Sequence, residues 1–345
     1  MMARISMAVV TIAALLSAPF SFAADTKIGI FETILESSQS YAETVAARHS
    51  AVEDSSLQLH GSHEVRVPED KHEATVFVLT SPVYADAAAT ESPSTISAQD
   101  LRMAVYTQGD EQRTYVNMAK PVAHAMVFSA KSPNYDRLVE AARGVADDMR
   151  KLVAALPATA VSEQQKPMRS EKHYRKYKGD GPARMMAKFR TFEKSQLGID
   201  VDTGQGFDAA VDAVVAALTA SEVSDASNST GWEVIAQVRL RDDAVYVGVT
   251  NPFIEDKMIR INSRFRGDSK SEQSPYPGVD HVAALPTEVL IVKDGDEIRV
   301  LHYGQMWRMQ LYFWDSGYRA FTANVGVPGK IAHSIAAAIE EPVGP

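Results

Sequence analysis

The 345-residue chain contains no cysteine. That absence excludes disulfide staples, thiol nucleophiles, zinc–thiolate centres and covalently attached c-type haem. Catalytic templates are missing as well. There is no Gly-x-Ser-x-Gly elbow, no His-Glu-x-x-His, no phosphate-binding glycine loop and no dinucleotide fingerprint. A Ser-His-Asp arrangement stays open, because such triads are defined in space rather than along the chain. Positive charge is in deficit, with 35 Lys and Arg against 44 Asp and Glu and a net charge of −9. The deficit argues against general nucleic-acid binding. Beyond the first residues no apolar run approaches the roughly 20 residues that a membrane-spanning helix needs.

What is present begins with an export pattern. Arg4 precedes an apolar stretch from Met7 to Leu16, Ser17 and Pro19 follow, and Ser21-Phe22-Ala23 offers small residues where a signal peptidase reads. The apolar core is about ten residues long, too short for an anchor. The expectation is a cleaved signal peptide over residues 1–23 and a soluble protein working in the periplasm or secreted. The remaining chain, roughly 320 residues, exceeds the usual size of one domain, so two are expected.

A composition shift marks where the chain divides. Between Glu163 and Lys194 lie ten Lys or Arg and four acids, punctuated by Pro167 and Gly179-Asp-Gly-Pro182. The expected division is a first domain over 24–156, a basic linker over 157–194 and a second domain over 195–345. The two domains repeat one order of elements. In the first, apolar spacing predicts a helix from Tyr41 to Leu59, then strands at Ala74–Thr80, Leu101–Thr107 and Arg113–Met118. The turn Gln108-Gly109-Asp110 joins the last two as a hairpin, as Asp294-Gly295-Asp296 joins the last two strands of the second. A closing helix begins at Asn134, with Leu138, Val139, Ala142, Val145, Met149 and Leu152 on its inner face. In the second, a helix from Phe207 to Leu218 precedes strands at Val234–Leu240, Ala244–Thr250, Thr287–Lys293 and Glu297–Tyr303, and a helix from Lys330 to Glu340 closes. Phe-Val-Leu-Thr-Ser-Pro at 77–82 parallels Tyr-Val-Gly-Val-Thr-Asn-Pro at 246–252, which reads as a diverged internal duplication.

A strand ending in Asn251-Pro252, then Leu285-Pro-x-x-Val-Leu-Ile-Val-x-Asp-Gly295 leading to a further strand, resembles domain-of-unknown-function family 302. The match is best at 246–303; at 77–118 Ser81 replaces the Asn and Leu101-Arg102 replaces Leu-Pro. The resemblance implies small α+β domains and brings no catalytic residues. The expected fold is therefore α+β: two similar small domains, each a mainly antiparallel sheet with helices on one face, in a pseudo-twofold arrangement.

Three clusters are candidates for chemistry. If Met258 to Arg266 is extended, Arg260, Asn262, Arg264 and Arg266 share one face, and forked guanidinium donors suit a carboxylate, phosphate or sulfate. A polar face paired internally, with Glu255 or Asp256 as partner, is the plainer reading. Aligning Phe128 with Phe313 places His124 opposite Met309, an imidazole and a thioether that suit copper(I) or non-covalently held haem iron; core packing is the plainer reading of both. Lys172-His-Tyr-Arg-Lys-Tyr-Lys178 interleaves aromatics with cations, suited to an acidic partner or to a solvated connector. His60-Gly-Ser-His63 sets two imidazoles close together with no evident third ligand.

The leading expectation is an exported, non-catalytic binding or accessory protein holding a small anionic ligand between its halves. The alternatives are a haem or copper protein using His124 and Met309, and a hydrolase with unidentified residues. Partners are a small anion or an acidic protein, with neither nucleic acid nor a membrane span after signal cleavage, and a homo-oligomer is left open.

Overall fold

The hairpins expected around Gly109 and Gly295 form the centres of two antiparallel sheets in the computed structural model. It describes residues 26–340 apart from 68–71, 155, 178, 181–195, 201–203, 205, 221, 224 and 264–277. The expected signal peptide, 1–23, lies outside the described residues. Both glycines turn the chain at positive φ, +83° and +63°, where a side chain would be penalised.

The first sheet contains β1 (Phe31–Ser37), β2 (Gln58–Glu64), β3 (Ala74–Thr80), β4 (Leu101–Gln108), β5 (Arg113–Ala119) and β6 (Ala158–Gln164), in the order β2-β3-β4-β5-β1-β6. The second contains β7 (Gln196–Asp200), β8 (Glu233–Arg241), β9 (Ala244–Thr250), β10 (Thr287–Asp294) and β11 (Glu297–Tyr303), in the order β7-β11-β10-β9-β8. The chain is thus α+β, as expected. Both sheets follow one plan: a strand, a helix, then four strands in a meander whose last member pairs back with the first strand. The helices are α1 (Tyr41–Glu53), α2 (Pro82–Ala88), α3 (Pro93–Ile96), α4 (Pro121–Phe128), α5 (Tyr135–Ala154), α6 (Glu171–Arg175), α7 (Phe207–Thr219), α8 (Pro252–Ser263), α9 (Gln305–Phe313), α10 (Gly317–Ala323) and α11 (Val327–Glu340). Short 3-10 turns lie at Ser97–Gln99, Val279–Ala284 and Trp314–Ser316. Among the described residues, no helix is long and apolar enough to cross a membrane.

Packing follows the sequence periodicity. The inner face expected for α5, from Leu138 to Leu152, is buried throughout, and each large apolar side chain so placed contributes about 1.5–3 kcal/mol. One buried polar residue in this core is unusual. Arg48 on α1 is fully buried; its Nη2 donates to Met103 Sδ at 2.7 Å, and Nε and Nη1 have no hydrogen-bond partner. Burial without a counter-charge pulls this guanidinium down to about 10.

Contacts across the boundary between the sheets are reciprocal. From the first half, Ser97 bonds the Tyr303 hydroxyl and Asp100 Oδ2 accepts from Tyr246 at 3.0 Å. From the second half, the Asp280 carbonyl accepts from Asn117 Nδ2 at 2.6 Å. The edge strands β2 and β8 are both bulged where they meet. A Cβ at Gly61 would strike the Ile235 carbonyl there, so glycine permits the approach.

Three local expectations are corrected. The helix expected through Leu59 ends at Glu53, and the polar run Gln58–Glu64 forms edge strand β2. Part of the segment expected as a linker is built into the first half. Residues 158–164 are β6 on β1, and Arg169 is buried against Asp180 at 2.8 Å with Tyr174 and Tyr177 beneath its guanidinium. The tyrosines among the basic residues therefore pack on an arginine of their own segment. Met258 to Ser263 is helical, not extended: Asn251 caps α8 by accepting from the Ile254 amide at 3.0 Å, and Pro252 opens it.

Candidate ligand-binding cleft

The boundary is organised around a buried charged centre. Arg102 on β4 meets Asp100 at 2.8 Å and, across the boundary, Glu288 on β10 at 2.6 Å. Arg308 on α9 reaches the same Glu288 at 2.6 Å. Two guanidinium groups thus face two carboxylates, which limits the cost of burying them. Burial pushes Asp100 up to about 6, against the lowering effect of Arg102. His124 on α4 stands beside this group, its Nε2 at 3.0 Å from the Tyr312 hydroxyl. Burial, then the charges of Arg102 and Arg308, hold the imidazole well below its ordinary value, so it is neutral.

Strand registers show that this centre joins equivalent places. Arg102 and Glu288 are each the second residue of their strand, and Arg102 faces Val78 on β3 as Glu288 faces Gly248 on β9, each the fifth residue of its strand. His124 and Arg308 are both the fourth residue of the helix after the hairpin. Arg102 therefore meets its own equivalent, Glu288, across the boundary, whereas His124 meets Tyr312 of the other half and Arg308 meets Glu288 of its own.

A cleft of about 650 Å³, lined by none of these charged residues, opens between the first sheet and the turns of the second half. Its floor is Thr33, Tyr106 and Tyr115, from β1, β4 and β5. Tyr106 and Tyr115 are cross-strand partners with stacked rings 5.8 Å apart, and the Tyr106 hydroxyl lies 3.2 Å from Thr33 Oγ1. One wall is the end of β6 and the turn after it, from Glu163 to Pro167. The opposite wall is Asp280, Trp314, Asp315 and Tyr318 of the second half.

That wall is held by His281. Its Nδ1 lies 3.0 Å from Asp280 Oδ1 and its Nε2 3.0 Å from Asp315 Oδ1. Phe313 stacks on the imidazole and Phe31 meets it edge-on, both at 5.4 Å. Burial alone would lower this histidine, but the carboxylates of Asp315 and Asp280 lift it to about 8. It is an imidazolium at neutral pH and donates to both acids. Gln165 Nε2 reaches across from the β6 side to Asp280 Oδ2 at 2.7 Å, tying the two walls together.

The residues singled out from sequence lie elsewhere. Arg260 is exposed on α8 and its Nε is 2.6 Å from Asp256 Oδ1 one turn earlier, an internal ion pair. Asn262 follows on the same helix, while Arg264 and Arg266 lie outside the described residues. Glu255 is fully buried and binds the first half, at 2.8 Å from His63 Nε2 and 2.9 Å from the Arg66 amide. Met309 packs with Ile261, Ala320 and Phe321 in a separate apolar cluster, and the α9 residue that meets His124 is Tyr312. Among the described residues no three His, Asp or Glu side chains are grouped to hold a metal ion, and the two guanidinium groups near His124 would repel a cation. His60 Nε2 is engaged by Thr80 at 2.7 Å. The cleft residues carried no motif; Tyr106 and Tyr115 on facing strands of a recognisable hairpin were the one signal available.

No protein-family profile matches the chain, and no curated protein matches it. Among solved structures, the "Crystal structure of uncharacterized conserved protein DUF302 from Bacillus stearothermophilus" is similar at a TM-score of 0.31 with 14% identity, over 36% of this chain and 96% of that one.

Proposed function

We propose that the chain is an exported, non-catalytic binding protein that encloses one small ligand in the cleft between its halves. The observation that carries this reading is the cleft itself. Its 650 Å³ falls within the range of small-molecule sites, about 300–1,000 Å³, where apolar faces and a few converging polar groups fix the ligand. Export rests on the pattern of residues 1–23. The small anion expected at Arg260, Asn262, Arg264 and Arg266 has less support than a ligand of the cleft. Arg260 already has Asp256 as partner, and the cleft lining holds Glu163, Asp280 and Asp315 against a single lysine, Lys166.

The test compares thermal melting of the protein as isolated with the same protein after unfolding, dialysis and refolding. A native-state ligand stabilises by mass action, by about 2.7 kcal/mol at a hundredfold excess over its dissociation constant. The expected result is a lower melting temperature after dialysis, restored by the released small-molecule fraction. Identical melting in both preparations, with no small molecule released, would overturn the reading.

A further inference from the structure

We infer that the ligand of this cleft is a neutral saccharide, an inference that rests on the binding-protein reading and names its ligand class. Three independent features of the lining converge on it. The first is aromatic area. Tyr115 and Trp314 are partly exposed and Tyr318 is 44% exposed, while Tyr106 backs Tyr115 from the neighbouring strand. A sugar ring has apolar C–H faces that pack on flat aromatic rings, with hydroxyls around its edge; aromatic side chains bury large area in fixed orientations.

The second is the type of polar group. Gln108, Gln164 and Gln165 join Glu163, Asp280 and Asp315 around those rings. Amides offer donor and acceptor side by side, and carboxylates offer two acceptors, the forked pattern that neighbouring hydroxyls match. Two of these amides are already oriented. Gln164 Oε1 accepts from the Gly29 amide at 2.9 Å, and Gln165 donates to Asp280.

The third is charge, which separates a sugar from other polar ligands. Asp280 and Asp315 share the imidazolium of His281, so neither is a bare counter-charge for an amine. Glu163 and Lys166 face the same cleft from one short segment and offset each other. A phosphate or carboxylate ligand would meet three acids and one lysine. An organic cation would find one net negative charge there, since a single imidazolium offsets only one of the two carboxylates, and would have to compete with His281 for their oxygens. A neutral polyhydroxyl ligand has neither cost and uses both the rings and the amides.

The test is calorimetric titration of the full exported protein at neutral pH. The neutral probes are glucose, trehalose, maltose, cellobiose and N,N′-diacetylchitobiose; the charged controls are spermidine and glucose 6-phosphate. At least one neutral sugar is expected to bind, to quench tryptophan fluorescence, and to bind tenfold or more weakly in Trp314→Ala and Tyr115→Ala. Trp314→Phe should keep most of the affinity and lose most of the quenching, a result that separates a stacking face from a folding defect. Heat with spermidine or glucose 6-phosphate alone, abolished by Trp314→Ala, would overturn the saccharide class and leave the cleft standing. Sugar binding undiminished in both alanine variants would overturn the cleft as its site. No heat with any neutral sugar would overturn the saccharide inference, and the dialysis experiment above would then report separately on the binding-protein reading.

Discussion

At the place where the first sheet stacks Tyr106 on Tyr115, the second sheet pairs Val292 with Arg299. The registers are otherwise parallel, since Ala74 faces Tyr106 as Ala244 faces Val292. The first sheet also carries an extra strand, β6, outside β1, whereas among the described residues the second ends at β7. The cleft lies where these departures coincide: the tyrosine pair, the turn after β6, and the turns of the other half that close over them. The boundary teaches the same lesson. Arg102 and Glu288 occupy equivalent places and bind each other, where identical residues would set two like charges together in the interior. The repeated plan supplies a scaffold, and its asymmetries supply the chemistry.

The largest effect is expected at that charged pair. Arg102→Met leaves Asp100 and Glu288 buried with one guanidinium fewer, and urea unfolding should show a loss of about 3–5 kcal/mol. The double variant Arg102→Met/Glu288→Met should lose less than the sum of the two single variants. Additive losses would break the claim that the halves are joined by complementary residues at equivalent places.

Next in size is the pH dependence set by His281. Its native value is raised from 6.5 to about 8, so the folded state binds this proton more tightly than the unfolded state. The resulting stabilisation is fully present below pH 6.5 and is lost as pH rises through about 8, a change of about 2 kcal/mol. Unfolding free energies from urea titrations at pH 6 and pH 8.5 should differ by this amount, and His281→Gln should lack this component. A wild-type stability that is flat or rises over the interval would contradict the bridged arrangement.

Arg48 offers the opposite sign within one core. Arg102 is buried with carboxylate partners and Arg48 without any. Arg48→Met should therefore stabilise, by about 1–2 kcal/mol. A loss of stability comparable to that of Arg102→Met would show that the two buried arginines are not distinguished by their partners.

Much of the fold was legible because its signals are local. β3, β9 and β11 run as expected, and the turns at Gly109 and Gly295 fixed the hairpins. β2 was hidden because Gln-Leu-His-Gly-Ser-His-Glu is a polar edge strand with neither the apolar alternation nor the length of a core strand. α8 was misread because Ile259 and Ile261 alternate like a strand. The helical set Ile254, Met258 and Ile261, opened by Asn251-Pro252, was the better signal. The cleft was illegible for a different reason. Thr33, Tyr106, Glu163, Asp280 and Trp314 come from five separate segments, and only the packing of one half on the other assembles them.

The smallest effect on stability, and the largest on function, is expected for Tyr115→Arg. It places in the first sheet the residue type that the second sheet carries at the equivalent position. Tyr115 is only partly buried, so the cost in stability should be about 1 kcal/mol or less. Native mass spectrometry of this variant beside the wild type, each isolated from the compartment where it accumulates, tests the central claim most directly. The account predicts a small molecule on the wild type, released on denaturation, and none on a Tyr115→Arg protein that melts within a few degrees of the dialysed wild type. The same molecule retained by the variant at equal occupancy, or no molecule on the wild type, would contradict it.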